Sequence, residues 1–356
     1  MIDFINFSVE YRGSDINGGY FMSVEQGGDI EFTTERFLNV KGSWDASVKV
    51  RAFAGKIQVR GNVVKFLQGH NLFGSNDLHM IIRSFVQVLH TRLIDSGFTF
   101  DLDFTMQRID HGIFDLTRLD LTESFALGSR TDALSWLMAV RSYLQKTRQK
   151  VEVYENGIYI GKGSSYLTVT IYYKGDEIRK HPFMLDDPNL VKSLRAWAND
   201  KIRIEISCRR LFLQQNIFCH QPVKAKNVVL NCRKKKLKYG FAWNEDLVMN
   251  VYNYLLKDKI RLPKDTGVVR CDMNKLPGAV RGSFYMHQQG FDMKEILNKA
   301  TFYRHRSRIL ELTGVDIARP VVKNDTRNVV PLIRTIEAKP AEIPQWAFDY
   351  GLVVNS

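Results

Sequence analysis

The 356-residue chain is short of cysteine and of long apolar runs, and each shortage removes a class of protein. Its four cysteines, Cys208, Cys219, Cys232 and Cys271, include no CxxC pair, so neither a disulfide framework nor a zinc knuckle is expected. Cys219-His220 with Cys232 is the nearest approach to a soft metal set, and buried free thiols are the simpler reading. No apolar run approaches the roughly 20 residues that span a bilayer. The opening Met1-Ile2-Asp3-Phe4-Ile5-Asn6 lacks the basic start and apolar core of a signal peptide. Negative charge is scarce as well: 51 Lys and Arg stand against 38 Asp and Glu, a formal charge of +13. Such a surplus suits a polyanionic partner, and without a membrane segment it favours nucleic acid and the cytoplasm.

What is present reads as strands alternating with helices. The start of the chain is β-rich, and residues 47–60 read as a hairpin turning at Ala54-Gly55. Lys65-Phe66-Leu67-Gln68-Gly69-His70-Asn71-Leu72-Phe73-Gly74 reads as a strand end breaking into a Gly-flanked turn. Helices are expected over residues 78–94, 132–146 and 188–199. The first is capped by Ser75, Asn76 or Asp77, the second by Ser129 or Thr131, and the third opens at Pro188. A second hairpin joins a strand ending at Gly161 to Leu167-Thr168-Val169-Thr170-Ile171-Tyr172-Tyr173-Lys174. Period-2 geometry puts Leu167, Val169, Ile171 and Tyr173 on one face, and Thr168, Thr170, Tyr172 and Lys174 on the other.

Two further runs follow the same rule. Arg118, Asp120 and Thr122 oppose Leu119 and Leu121; Arg203, Glu205, Ser207 and Arg209 oppose Ile202, Ile204 and Ile206. An α+β fold is expected, with helices covering the apolar face of an antiparallel sheet and Asp120, Tyr172 and Glu205 converging on the other. The basic run 233–238, a solvated connector or a phosphate track, marks a boundary between domains at 1–235 and 240–356. The second domain reads as mainly helical, with segments 283–289, 292–297 and 301–312 resembling a helix-turn-helix. Its last helix carries Arg304, His305 and Arg308 on one flank, suited to a DNA groove, although three-helix packing without DNA contact gives the same pattern.

This set of residues suggests phosphodiester transesterification. A phenol with a pKa of about 10 is a weak nucleophile at neutral pH unless a cation lowers that pKa or a metal polarises the electrophile. Lys174 is the candidate cation. Asp120 and Glu205 are hard oxygen ligands for Mg²⁺ or Mn²⁺, with His70 a possible nitrogen ligand. A non-catalytic origin binder or repressor is the competing reading, with these groups as surface decoration.

The block from Lys65 to Leu78 resembles a signature of the II/X family of filamentous-phage replication initiators. Thr117-Arg118-Leu119-Asp120 and Arg203-Ile204-Glu205 resemble that family's Arg-Ile-Asp and Arg-aromatic-Glu segments. The hairpin resembles its tyrosine-bearing stretch, with the DNA-linking residue at Tyr172. Asn328-Val329-Val330-Pro331-Leu332-Ile333-Arg334 with Pro344-Gln345-Trp346 is similar to its closing block. The hairpin also resembles the Gly-Ser…Tyr-x-Lys segment of plasmid rolling-circle initiators. The resemblance implies a rolling-circle Rep nuclease-like fold and an endonuclease that nicks one strand of a double-stranded origin through a 5′-phosphotyrosine. It implies later resealing of the displaced single strand, host helicase and polymerase as partners, metal at Asp120, Glu205 and His70, and DNA contacts at Arg118 and Arg203. The His-hydrophobic-His motif of many rolling-circle nucleases is absent. Arg108-Ile109-Asp110 competes with Arg118-Leu119-Asp120 for the acidic role, and Tyr173 with Tyr172 for the nucleophile.

Overall fold

The structure, a computed structural model, describes residues 1–42, 44, 46–145, 149–154, 157–180, 185, 187–215, 236–256, 268–272, 276–313, 316–318 and 333–353. Alternating side chains build most of its strands: β1 (Ile2–Glu10), β2 (Tyr20–Val24), β3 (Ile30–Glu35), β4 (Leu38–Lys41), β5 (Ser47–Phe53), β6 (Lys56–Gly61) and β7 (Phe114–Ala126). They continue with β8 (Val151–Tyr154), β9 (Gly157–Ile160), β10 (Leu167–Tyr173), β11 (Lys201–Arg209), β12 (Val268–Asp272), β13 (Ile333–Glu337) and β14 (Lys339–Pro340). One large sheet runs in the order β4-β5-β6-β1-β7-β11-β10-β9-β8, and β14 pairs with the end of β7. Every pairing in it is antiparallel. The fold is α+β.

The β5–β6 hairpin turns through Ala54 (φ +50°) and Gly55 (φ +73°), the double left-handed geometry that matches strand twist. Helices α1 (Val63–Gln68), α2 (Leu78–Asp95) and α3 (Leu102–Asp110) start at Asn62, Asp77 and Asp101, whose side chains cap their first turns. Next come α4 (Arg130–Gln145), α5 (Lys174–Lys180), α6 (Pro188–Ala198) and α7 (Arg210–Leu213). Then follow α8 (Glu245–Tyr254), α9 (Gly278–Gln288), α10 (Met293–Ile296), α11 (Lys299–Thr313) and α12 (Gln345–Asp349). The apolar sheet face meets α2 and α4, which bury Phe85, Leu89, Trp136 and Val140 with Leu119, Ile171 and Ile204. Phe85 is fully buried between the edges of Phe7 and Phe66, with centroids 6.2 and 5.3 Å away. Phe85→Ala should therefore lower the unfolding free energy by about 3–5 kcal/mol, read as a shifted urea midpoint at unchanged slope.

Three expectations change. Residues 63–68 form a helix, not a strand end, because the Asn62 cap starts it and Gly69 (φ +80°) stops it. Lys174 leaves the strand and opens α5. The polar sheet face is not open along its length either, since the loop after α1 lies over one end of it and supplies Leu72 and Asn71 to β11, β1 and α5.

The chain beyond the first basic run divides between cores. Leu237, Trp243, Val248 and Val251 join the main core, which thus extends past the expected boundary near 235–240. Of that run, residues 233–235 lie outside the described residues. Helices α9 to α11 enclose a separate small core of Val280, Phe284, Met293, Phe302 and Ile309. The described part of the tail returns to the body: Ala347, Leu352 and Val353 pack with Leu72, Phe73 and Leu194.

Candidate active site

Strand register brings the three expected groups to one face. Asp120 on β7 pairs with Ser207 on β11, and Glu205 pairs with Thr122 on one side and Thr170 on the other. Tyr172 on β10 pairs with Arg203, so it and Glu205 are diagonal neighbours. The Tyr172 hydroxyl donates to Glu205 Oε1 at 2.6 Å. Tyr173 points the other way; it is fully buried and its hydroxyl donates to the Asn199 carbonyl at 2.6 Å. Of the two, Tyr172 offers its oxygen to the polar face.

The electrostatics differ from the expected activation by a cation. Burial and the adjacent Glu205 carboxylate raise the Tyr172 pKa well above the ordinary phenol value, so the resting group is protonated. Glu205 is pushed up to about 7, mainly by burial, then by the charge of Asp3 and against the pull of Arg203. The pair is a donor and an acceptor for one proton. Lys174 is fully buried, with Nζ 3.0 Å from Asn71 Oδ1, 2.8 Å from Glu177 and 5.7 Å from the Tyr172 ring centroid. Burial and Arg203 lower its pKa. It stands over the ring face and holds the loop after α1 in place.

Asp3 is the site residue that the strand patterns missed. A register shift between Ile2 and Ile5 accompanies its departure from simple alternation. Its carboxylate accepts from Asn71 Nδ2 at 3.2 Å and from Asn62 Nδ2. Asn71 therefore joins Lys174 to Asp3, while Asn62 serves both α1 and Asp3. The only sequence signal was Asn71 beside the Gly-flanked turn, one of the two amides that hold it.

Other assignments shift. Asp120 is gripped by the Arg118 guanidinium, whose Nε lies 2.8 Å from Oδ1, and Arg118 also stacks 4.0 Å from the Phe4 centroid. Arg118 is thus Asp120's counter-ion before it is a DNA contact. Arg203 is fully buried and donates to the Leu72 carbonyl at 3.3 Å, with Nε and Nη1 finding no protein partner among the described residues. It is not on the outer surface; its charge offsets Asp3 and Glu205 from within. Asp110 sits at the end of α3 in an exposed pair with Arg83, away from the sheet face that holds Asp120. Cys208 is a buried free thiol; Cys219 and Cys232 lie outside the described residues.

The expected ligands Asp120, Glu205 and His70 do not gather: no cluster of three His, Cys, Asp or Glu able to hold an ion occurs among the described residues. His70 is fully buried, with Nδ1 3.3 Å from both Gln68 Nε2 and the Leu72 N–H. Burial and the cations Lys174 and Arg203 hold its pKa near 3, so it is neutral. Asp3, a hard carboxylate near enough for its charge to raise Glu205, adds an oxygen donor of the kind a divalent ion takes.

In the C-terminal unit Arg304 and Arg308 are exposed on α11, whereas His305 is buried and meets Ser283 Oγ at 2.8 Å through Nδ1. His305 fixes α9 to α11 and lies inside the small core, not on the flank that exposes Arg304 and Arg308. No helix among the described residues is long and apolar enough to cross a membrane.

A buried tyrosine–carboxylate pair on the polar face of an antiparallel sheet accompanies matches to replication-associated proteins of phages. The family model for the N-terminal part of the phage replication-associated protein matches residues 1–242, and the model for its C-terminal part matches residues 275–353. The chain belongs to this replication-associated protein family. It is 29% identical to the replication-associated protein of Enterobacteria phage I2-2 over 97% of this chain and 95% of that one. It is 20% identical to the same-named protein of Salmonella phage IKe, over 92% and 86%. Among solved structures, a rolling circle replication initiator protein from Geobacillus stearothermophilus overlaps 67% of this chain and 97% of its own. The TM-score is 0.25 and the identity 11%, too loose an overlap to align individual residues.

Proposed function

We propose that the chain starts rolling-circle replication by nicking one strand of a double-stranded origin in the host cytoplasm. Tyr172 Oη attacks the scissile phosphorus, the bond to the 3′-oxygen breaks, and the 5′-phosphate remains as a phosphotyrosine. The phenol proton passes to Glu205, and the departing 3′-oxygen takes a proton from solvent water and leaves as a hydroxyl, Glu205 later returning its proton to solvent. The observation that carries this reading is the 2.6 Å hydrogen bond from Tyr172 to Glu205. Arg203, with two nitrogens unpartnered among the described residues, supplies positive charge beneath the reacting phosphate. Mg²⁺ or Mn²⁺ held beside Asp3 would polarise the phosphodiester and leave Glu205 to take the proton. Because the phosphotyrosine keeps the ester's energy, attack by a 3′-hydroxyl reverses the step and reseals the displaced strand. The freed 3′-end would serve a host polymerase, with a host helicase opening the duplex.

An SDS-resistant adduct with a single-stranded origin oligonucleotide, mapped by mass spectrometry to the Tyr172 peptide, tests the proposal. Nicking with no adduct, or an adduct elsewhere, would overturn it. Chelation of divalent ions should stop nicking yet leave duplex binding nearly intact, as measured by mobility shift, because phosphate contacts carry the affinity. The exposed Arg304 and Arg308 are what a non-catalytic origin binder would also need. Arg304→Ala with Arg308→Ala should weaken origin-duplex binding about tenfold at moderate salt while leaving cleavage of the single strand unchanged. Equal loss on both substrates would assign that helix a structural role.

A further inference from the structure

The ribbon of β2 and β3 stands apart from the large sheet, since neither strand pairs with any other among the described residues. A lone two-stranded ribbon is marginal in water. Its composition makes it more so: Tyr20, Phe21, Met22, Val24, Ile30 and Phe32 are each 56–60% exposed. The apolar groups lie on both faces. Ser23 pairs with Phe32, so Phe21, two residues from Ser23, shares a face with Phe32, while Tyr20, Met22 and Val24 share the other. Six large apolar side chains exposed on one short ribbon mark an interaction site.

Charge selects the partner. Residues 20–35 contain Glu25, Asp29, Glu31 and Glu35 and no Lys or Arg, in a chain whose overall charge is +13. A β-ribbon that enters a DNA groove would bring four carboxylates against phosphates, so nucleic acid is disfavoured. Two ribbons laid together would crowd eight carboxylates. The body of a second copy of this chain offers the opposite sign. We propose that the ribbon is an arm that docks on the basic body of a second copy, each protomer embracing the other about a twofold axis. This inference stands on the ribbon alone and does not depend on the nicking chemistry.

The arm can be excised cleanly, because the Arg36 N–H bonds the Gly19 carbonyl and the Gly18 N–H bonds the Arg36 carbonyl, both at 2.8 Å. Replacing residues 20–35 with an Asn-Gly turn should leave the melting curve of the full chain nearly unchanged. Sedimentation velocity at micromolar concentration should show a dimer for the parent and a monomer for the excised chain. Glu25→Lys with Glu31→Lys, which keeps the ribbon, should weaken dimerisation roughly tenfold. Nicking of a single-stranded oligonucleotide should be the same for all three. A monomeric parent, or an excised chain that still dimerises, would overturn the proposal. So would a charge-reversed chain that dimerises as the parent does. A monomeric parent that loses DNA affinity on excision would instead assign the arm to DNA.

Discussion

Tyr172→Phe should bind origin DNA with unchanged affinity and form neither a nick nor a covalent adduct. Loss of a nucleophile typically lowers the rate by about 10⁴-fold or more, which here means to the detection floor. The substitution also takes the donor away from Glu205 Oε1, which is buried with it, at a cost of about 1–3 kcal/mol in stability. Circular dichroism and a mobility shift on the duplex should therefore accompany the assay. Tyr173→Phe is the matched control. It removes a hydrogen bond to the Asn199 carbonyl on the opposite face and should keep nicking near the parent rate. If Tyr173→Phe loses the adduct and Tyr172→Phe keeps it, the assignment of faces is wrong.

Glu205→Gln should slow single-turnover nicking about 10²–10⁴-fold, the usual contribution of a positioned proton acceptor, with little change in substrate affinity. The amide oxygen can still accept from Tyr172, so the phenol stays in place and only the destination of its proton is lost. Asp120→Asn gives the contrast. The Asp120 carboxylate is tied to Arg118 rather than to the phenol, so its loss should lower stability and loosen Arg118 before it touches the chemical step. Quench-flow rates with denaturation midpoints would separate the two. Equal slowing by both variants at equal stability would place Asp120 in the reaction.

The sequence carried the faces of the strands and little of what covers them. Alternation along residues 118–122, 167–173 and 201–209 was enough to put Asp120, Tyr172 and Glu205 together, because a period of two is a local property. It could not show that Arg203 lies under the loop after α1, since Leu72 and Met1 reach it from far away in the chain. Asp3 was invisible for a related reason: it lies by an irregular stretch of β1, and both of its amide partners come from beyond residue 60. Lys174 had the right neighbour and the wrong element. The α1 segment, with Val63, Val64 and Phe66, has strand-like composition, and only its cap and Gly69 make it a helix. His305 shows the remaining gap, because a surface stripe on α11 and a contact to Ser283 on α9 look alike in one dimension.

The pairing of β14 with β7 has a bearing on when the protein becomes whole. Ala341 N–H bonds the Ser124 carbonyl at 2.8 Å, and His70 leans on the backbone of Leu352. The central strand of the sheet and the loop that roofs the tyrosine are thus finished by residues far downstream of both in the chain. A nascent chain stalled before Ala341 and Leu352 emerge leaves that roof unsupported, so assembly of the site waits on this one downstream segment.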